Sequence, residues 1–155
     1  MSIRFVAMET ADVEALRVGA PDAHGIPAER HITPVDGYPC RHCLAPMAAG
    51  EPLLIAAHRP FPAPQPYAEV GPIFLHGRAC PRGGGTAVIP AFLRSPAYIV
   101  RGYGADDRIV YGTGGVIETA AIPARAEQLF ADPAVAYVHV RSASNNCFHC
   151  RIDRA

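Results

Sequence analysis

Four thiols in two matched spacings hold the most reactive atoms of this sequence: Cys40-Arg41-His42-Cys43 and Cys147-Phe148-His149-Cys150. Two cysteines with two residues between them fit a tight turn that aims both sulfurs at one point. Each pair can therefore grip a metal ion or act as a dithiol. Taken together, Cys40, Cys43, Cys147 and Cys150 make a tetrahedral set, and soft thiolates suit zinc. About a hundred residues separate the pairs, against the ~15–20 of a compact zinc ribbon, so such a site would staple a loop to the C-terminal segment. An alternate set keeps Cys40 and Cys43 and recruits His76 and Cys80, an H-x3-C arrangement at the end of a predicted strand. Three protein ligands and a water would make it catalytic; four would close it. Against both stands the ordinary fate of a free cysteine, burial as a small hydrophobe.

Two other chemistries compete. Cys40 and Cys43 have the spacing of dithiol oxidoreductases, and Arg41, His42 or Arg151 beside a thiol would favour the thiolate. A redox C-x-x-C follows a strand and opens a helix, however, whereas Gly37 and Pro39 precede this one and Pro46 follows it. The third chemistry is a small-molecule or enzyme site on a polar strand face. Tyr67, Glu69, Arg101, His139 and Arg141 would supply an acid and anion clamps, with His58 and His76 near strand ends. Exposed His and Arg on the wet face of an antiparallel sheet are the plain alternative. Whether the chain is an enzyme stays open, as does any partner protein or small molecule.

The totals narrow the field. Fourteen basic and fourteen acidic residues cancel, which argues against nucleic acid or an anionic membrane as the main partner. Every basic residue is Arg, so Schiff-base chemistry and a phosphate-loop lysine are excluded. Only four Ser occur, at 2, 95, 142 and 144, and no G-x-S-x-G or H-E-x-x-H is present. The opening nine residues turn acidic too soon for a secretory signal, and no apolar run approaches the ~20 residues of a membrane helix. The expected location is the cytoplasm, where closely spaced thiols more often bind metal or react than form disulfides.

These residues must be positioned by elements that the pattern partly reveals. At 155 residues and 50% hydrophobic, the sequence fits a single domain over 1–155. Ile3 to Met8 reads as a strand, and Thr10 as the cap of a short helix ending at Gly19. A long loop from Ala20 to Pro39 delivers the first thiol pair. Strands are expected at Leu53–His58 and Pro72–His76, joined by an extended proline-rich crossing, with Gly83-Gly84-Gly85 as a flexible turn. Tyr98–Tyr103 and Arg108–Tyr111 look like a hairpin, followed by Val116–Glu118 and a helix from near Pro123. The last strand expected is Val135–Arg141, with Ala136, Val138 and Val140 toward the core and Tyr137, His139 and Arg141 outward. The sum is a loop-rich α+β fold around a mainly antiparallel sheet of about six strands, with two short helices.

Three segments are informative together: Tyr38-Pro39-Cys40-Arg41-His42-Cys43-Leu44, Pro66-Tyr67-Ala68-Glu69-Val70-Gly71-Pro72-Ile73-Phe74-Leu75-His76, and Ala136-Tyr137-Val138-His139-Val140-Arg141-Ser142. With them the sequence resembles DUF 1203, a family of small single-domain bacterial proteins of unknown function, over nearly its whole length. The resemblance implies a stand-alone bacterial domain and carries no catalytic residue with it.

Overall fold

A computed structural model describes residues 2–155. Two short helices and a set of antiparallel ladders make it the expected α+β fold, but with ten strands rather than about six. The main sheet has five strands in the order β1 (Ile3–Val6), β10 (Phe148–Arg154), β9 (Tyr137–Ser142), β7 (Ala97–Tyr103), β8 (Gly115–Glu118). A second sheet orders β2 (Glu29–Ile32), β5 (Pro52–His58) and β6 (Gly71–His76). A two-residue ladder, β3 (Tyr38–Pro39) with β4 (Pro46–Met47), brackets the first thiol pair.

Alternating apolar residues decide which face each strand buries. Val138 and Val140 of β9, Ile3 and Phe5 of β1, and Cys150 and Ile152 of β10 meet α2 (Ile122–Phe130) through Ile122, Ala126, Leu129 and Phe130. Pro123 in the first turn of α2 costs nothing there, because its missing N–H would have no intrahelical partner. A separate core joins α1 (Thr10–Arg17), through Val13 and Leu16, to Leu53, Leu54, Ile73 and Leu75 of the second sheet. No helix among the described residues is long and apolar enough to cross a membrane.

Several expectations are corrected. The stretch 20–39 contains β2, whose four residues are all exposed; an edge strand paired only to β5 leaves no buried face for a sequence pattern to show. The hairpin turn after Tyr103 forms, but its return is a single bridge at Ile109, and the strand alongside β7 is β8. Thr10 opens α1 rather than capping it; Glu9 stands at the cap position. The last strand is β10, inserted between β1 and β9.

Gly83-Gly84-Gly85 is no flexible turn. Gly83 N donates to His42 O at 2.8 Å and Gly85 N to Phe5 O at 2.8 Å, strapping the segment across β1 and the first thiol pair. Nor is the outward face of β9 wet. Tyr137 packs with Phe61 and Tyr103, and five of the six β9 residues are buried, so the strand is covered on both sides.

Candidate metal centre

The turn at Cys40 is set by backbone bonds that the chain makes to itself. Leu44 N donates to Cys40 O at 3.0 Å, Cys40 N to Ala45 O at 3.1 Å, and Leu44 takes a left-handed φ of 58° to close the loop. Arg41 N donates to Phe74 O at 3.1 Å, which docks the turn on β6. Two residues further along β6, His76 sits at the strand end, and four beyond it comes Cys80.

Sulfur and nitrogen atoms converge there. One ligand atom each from Cys40, Cys43, His76 and Cys80 lies within 4.8 Å of every other. Cys43 Sγ is 3.5 Å from His76 Nδ1, and Cys40 Sγ is 4.0 Å from Cys80 Sγ. Cys40 is fully buried, and its sulfur also accepts the His76 backbone N–H at 3.3 Å.

Groups around the cluster orient its donors. Glu51 Oε2 lies 3.1 Å from His76 Nε2. That bond places the ring proton on Nε2 and leaves the Nδ1 lone pair directed at the sulfurs, the carboxylate–histidine arrangement common behind metal-ligating imidazoles. Glu51 is itself held ionised, its carboxyl lowered to about 2 first by the Ala48 N–H and then by Arg78 and His76. Cys80 Sγ receives Arg17 Nη2 at 3.2 Å and faces His42 Nδ1 at 3.1 Å, while His42 Nε2 meets Thr10 Oγ1 at 2.8 Å. Helix α1 thus touches the site at both ends.

The thiols titrate apart. Cys40 is held well below the ordinary thiol range, foremost because the Cys43 thiol donates to it, and the same bond pushes Cys43 up. His42 is lowered by burial first and by Arg17, so it is neutral at pH 7 and carries one ring proton. Cys40 favours the thiolate, but full burial keeps that sulfur from any incoming disulfide, which weighs against the dithiol redox reading.

Residues 37–154 match the family described as a protein of unknown function, DUF1203. The chain belongs to that family. The span matched to DUF1203 contains all four clustered residues. No curated protein and no solved structure matches the chain.

Of the residues singled out in the DUF1203 sequence, the structure brings Cys40 and Cys43 to His76 and Cys80, and leaves Cys147 and Cys150 outside that cluster. Cys150 is 1% exposed on the core face of β10, where burial pushes its thiol up. Cys147 precedes the strand in the β9–β10 turn, its thiol 3.8 Å from Asn145 O. The other predicted face divides. His139 is buried among the rings of Phe61, Tyr103, Tyr137 and Phe148, with centroids 4.6–5.2 Å away. Glu69 bridges Arg101 at 3.1 Å and Arg141 at 2.9 Å, whereas Tyr67 hydrogen-bonds Tyr111 at 2.7 Å toward solvent. Sequence reasoning missed Thr10, Arg17 and Glu51 because their role depends on contacts 25–63 residues distant, which no local spacing encodes.

Proposed function

We propose that this chain is a zinc-stapled domain in which Cys40, Cys43, His76 and Cys80 hold one Zn²⁺. The observation that carries this reading is the convergence of four donor atoms within 4.8 Å, with His76 already turned by Glu51. Three thiolates and one imidazole are a donor set of structural zinc, whose tetrahedral S···S edge is about 3.8 Å for Zn–S bonds of ~2.3 Å. The Cys40–Cys80 separation of 4.0 Å is close to that edge. Four protein ligands close the coordination sphere, so the ion's work is mechanical: it ties the Cys40 turn, the end of β6 and the 77–83 segment together. The net charge of three thiolates on Zn²⁺ is −1, and Arg17 at Cys80 offsets it.

Metal analysis by mass spectrometry on untagged protein purified without chelator is expected to give one zinc per chain, with thiols unmasked as it is removed. Metal-free protein with freely titrating thiols would overturn the reading and favour dithiol chemistry at Cys40 and Cys43. A subtler variant tests the orienting carboxylate. Glu51→Gln is expected to weaken zinc binding about ten- to a hundredfold in a competition titration against a chromogenic chelator. An unchanged affinity would mean that His76 needs no carboxylate to hold its ring.

A further inference from the structure

A cavity of about 230 Å³ lies at the opposite end of β6 from His76, where the approach to that strand meets the β9–β10 turn. His58, Glu69, Pro72, Arg141, Cys147 and Phe148 line it. It shares no residue with the zinc cluster and does not depend on it.

Its charge is unbalanced. Arg141 is 3% exposed; its Nη1 donates to Asn146 O at 3.1 Å and forms an ion pair with Glu69 Oε2 at 2.9 Å. Among the described residues, Nε and Nη2 of Arg141 have no acceptor. Those two nitrogens form one edge of the guanidinium, a fork whose parallel N–H groups match the two oxygens of a carboxylate. Arg41, also 3% exposed, donates to Phe148 O at the cavity wall and to Pro39 O. Arg141 thus shares its one carboxylate, Glu69, with Arg101, and Arg41 has only carbonyl acceptors. A buried cation without a counter-charge is costly, and an incoming anion would relieve it. His58 adds no charge of its own: burial first, then Arg41 and Arg141, lower it to about 4.

We propose that this cavity binds a small organic carboxylate, gripped by the Nε and Nη2 edge of Arg141 with its short apolar part against Phe148 and Pro72. The volume equals that of about seven or eight waters at ~30 Å³ each, which restricts the ligand to a handful of heavy atoms. The fork matches the two oxygens of a carboxylate, whereas a phosphate would bring further charged oxygens beside the Glu69 carboxylate in the same lining. Both fork nitrogens are covered, so binding turns the guanidinium toward the cavity and loosens its contact with Glu69.

The test titrates the full chain with butyrate and, separately, with inorganic phosphate by calorimetry, and follows alkylation of Cys147 by iodoacetamide with peptide mass spectrometry. Butyrate is expected to saturate in the millimolar range or below and to protect Cys147. Arg141→Lys, which keeps the charge but loses the fork, should weaken butyrate at least about tenfold. Glu69→Gln, which removes the competing carboxylate, should tighten it severalfold. Failure of butyrate to bind, binding of phosphate in its place, or butyrate affinity unmoved by Glu69→Gln would each overturn the proposal. The Glu69 variant decides the matter if Arg141→Lys does not fold.

Discussion

Cys40→Ala is expected to abolish stoichiometric zinc and to lower Tm by about 8–16 °C. A ligand present at about a thousand times its Kd stabilises the folded state by about 4.1 kcal/mol, and each kcal/mol moves Tm by about 2–4 °C in a chain of this size. Cys40 is the ligand to remove because its fully buried sulfur also anchors the His76 N–H, so both halves of the site lose their register. Cys150→Ala is the control. It deletes the same atom from an equally buried position outside the cluster and should leave metal content unchanged. Chelator should bring wild-type Tm down to that of Cys40→Ala and leave the variant where it is. Full zinc occupancy in Cys40→Ala would sink the assignment of that ligand.

Gly83→Ala should come next in size, for a reason that is purely spatial. A Cβ at Gly83 would stand 2.1 Å from the carbonyl oxygen of Cys43 and 2.6 Å from its carbon. Neither atom is the end of a flexible side chain, so the strap must lift from the Cys40 turn. Overpacking of this kind costs roughly 3 kcal/mol, which corresponds to about 6–12 °C in Tm, and it should weaken zinc as Cys43 is displaced. Gly85→Ala is the comparison: its φ of +86° strains an alanine, but nothing lies within 4 Å of the new carbon. It should cost about 1 kcal/mol and leave the metal in place. Equal losses from the two variants, measured by thermal unfolding and metal content, would show that the close approach at Gly83 is unimportant.

Half of the candidate metal cluster was legible as a motif. Cys40 and Cys43 announce themselves by spacing, and His76 ends, and Cys80 follows, a strand that the apolar run Ile73-Phe74-Leu75 marks. The second C-x-x-C misled because the spacing implies shared direction only in a turn. In Phe148–Arg154 the apolar residues Cys150 and Ile152 alternate with Arg151 and Asp153, which is a strand pattern, and a register shift after Phe148 sets them opposite Val140 and Val138 on the core face. Cys150 thereby belongs to the sheet core and Cys147 to the turn before it. The α+β class was readable from pattern alone. The burial of His139 and Arg141 was not, because a strand covered on both faces by different partners looks half-polar when one cover is aromatic and the other aliphatic.

The insertion of β10 between β1 and β9 also sets a timetable. On the ribosome, β1 emerges early with Ile3 and Phe5 on its apolar face, yet its one ladder partner is β10, roughly 140 residues later. At about 5–20 residues per second, that interval lasts roughly 7–30 s. All four cluster residues emerge well before then, so the proposed zinc staple would close around the second sheet while the main sheet still lacks the strand that joins β1 to β9. Nascent chains should accordingly acquire metal-dependent protease resistance around residues 40–80 before β1 becomes protected.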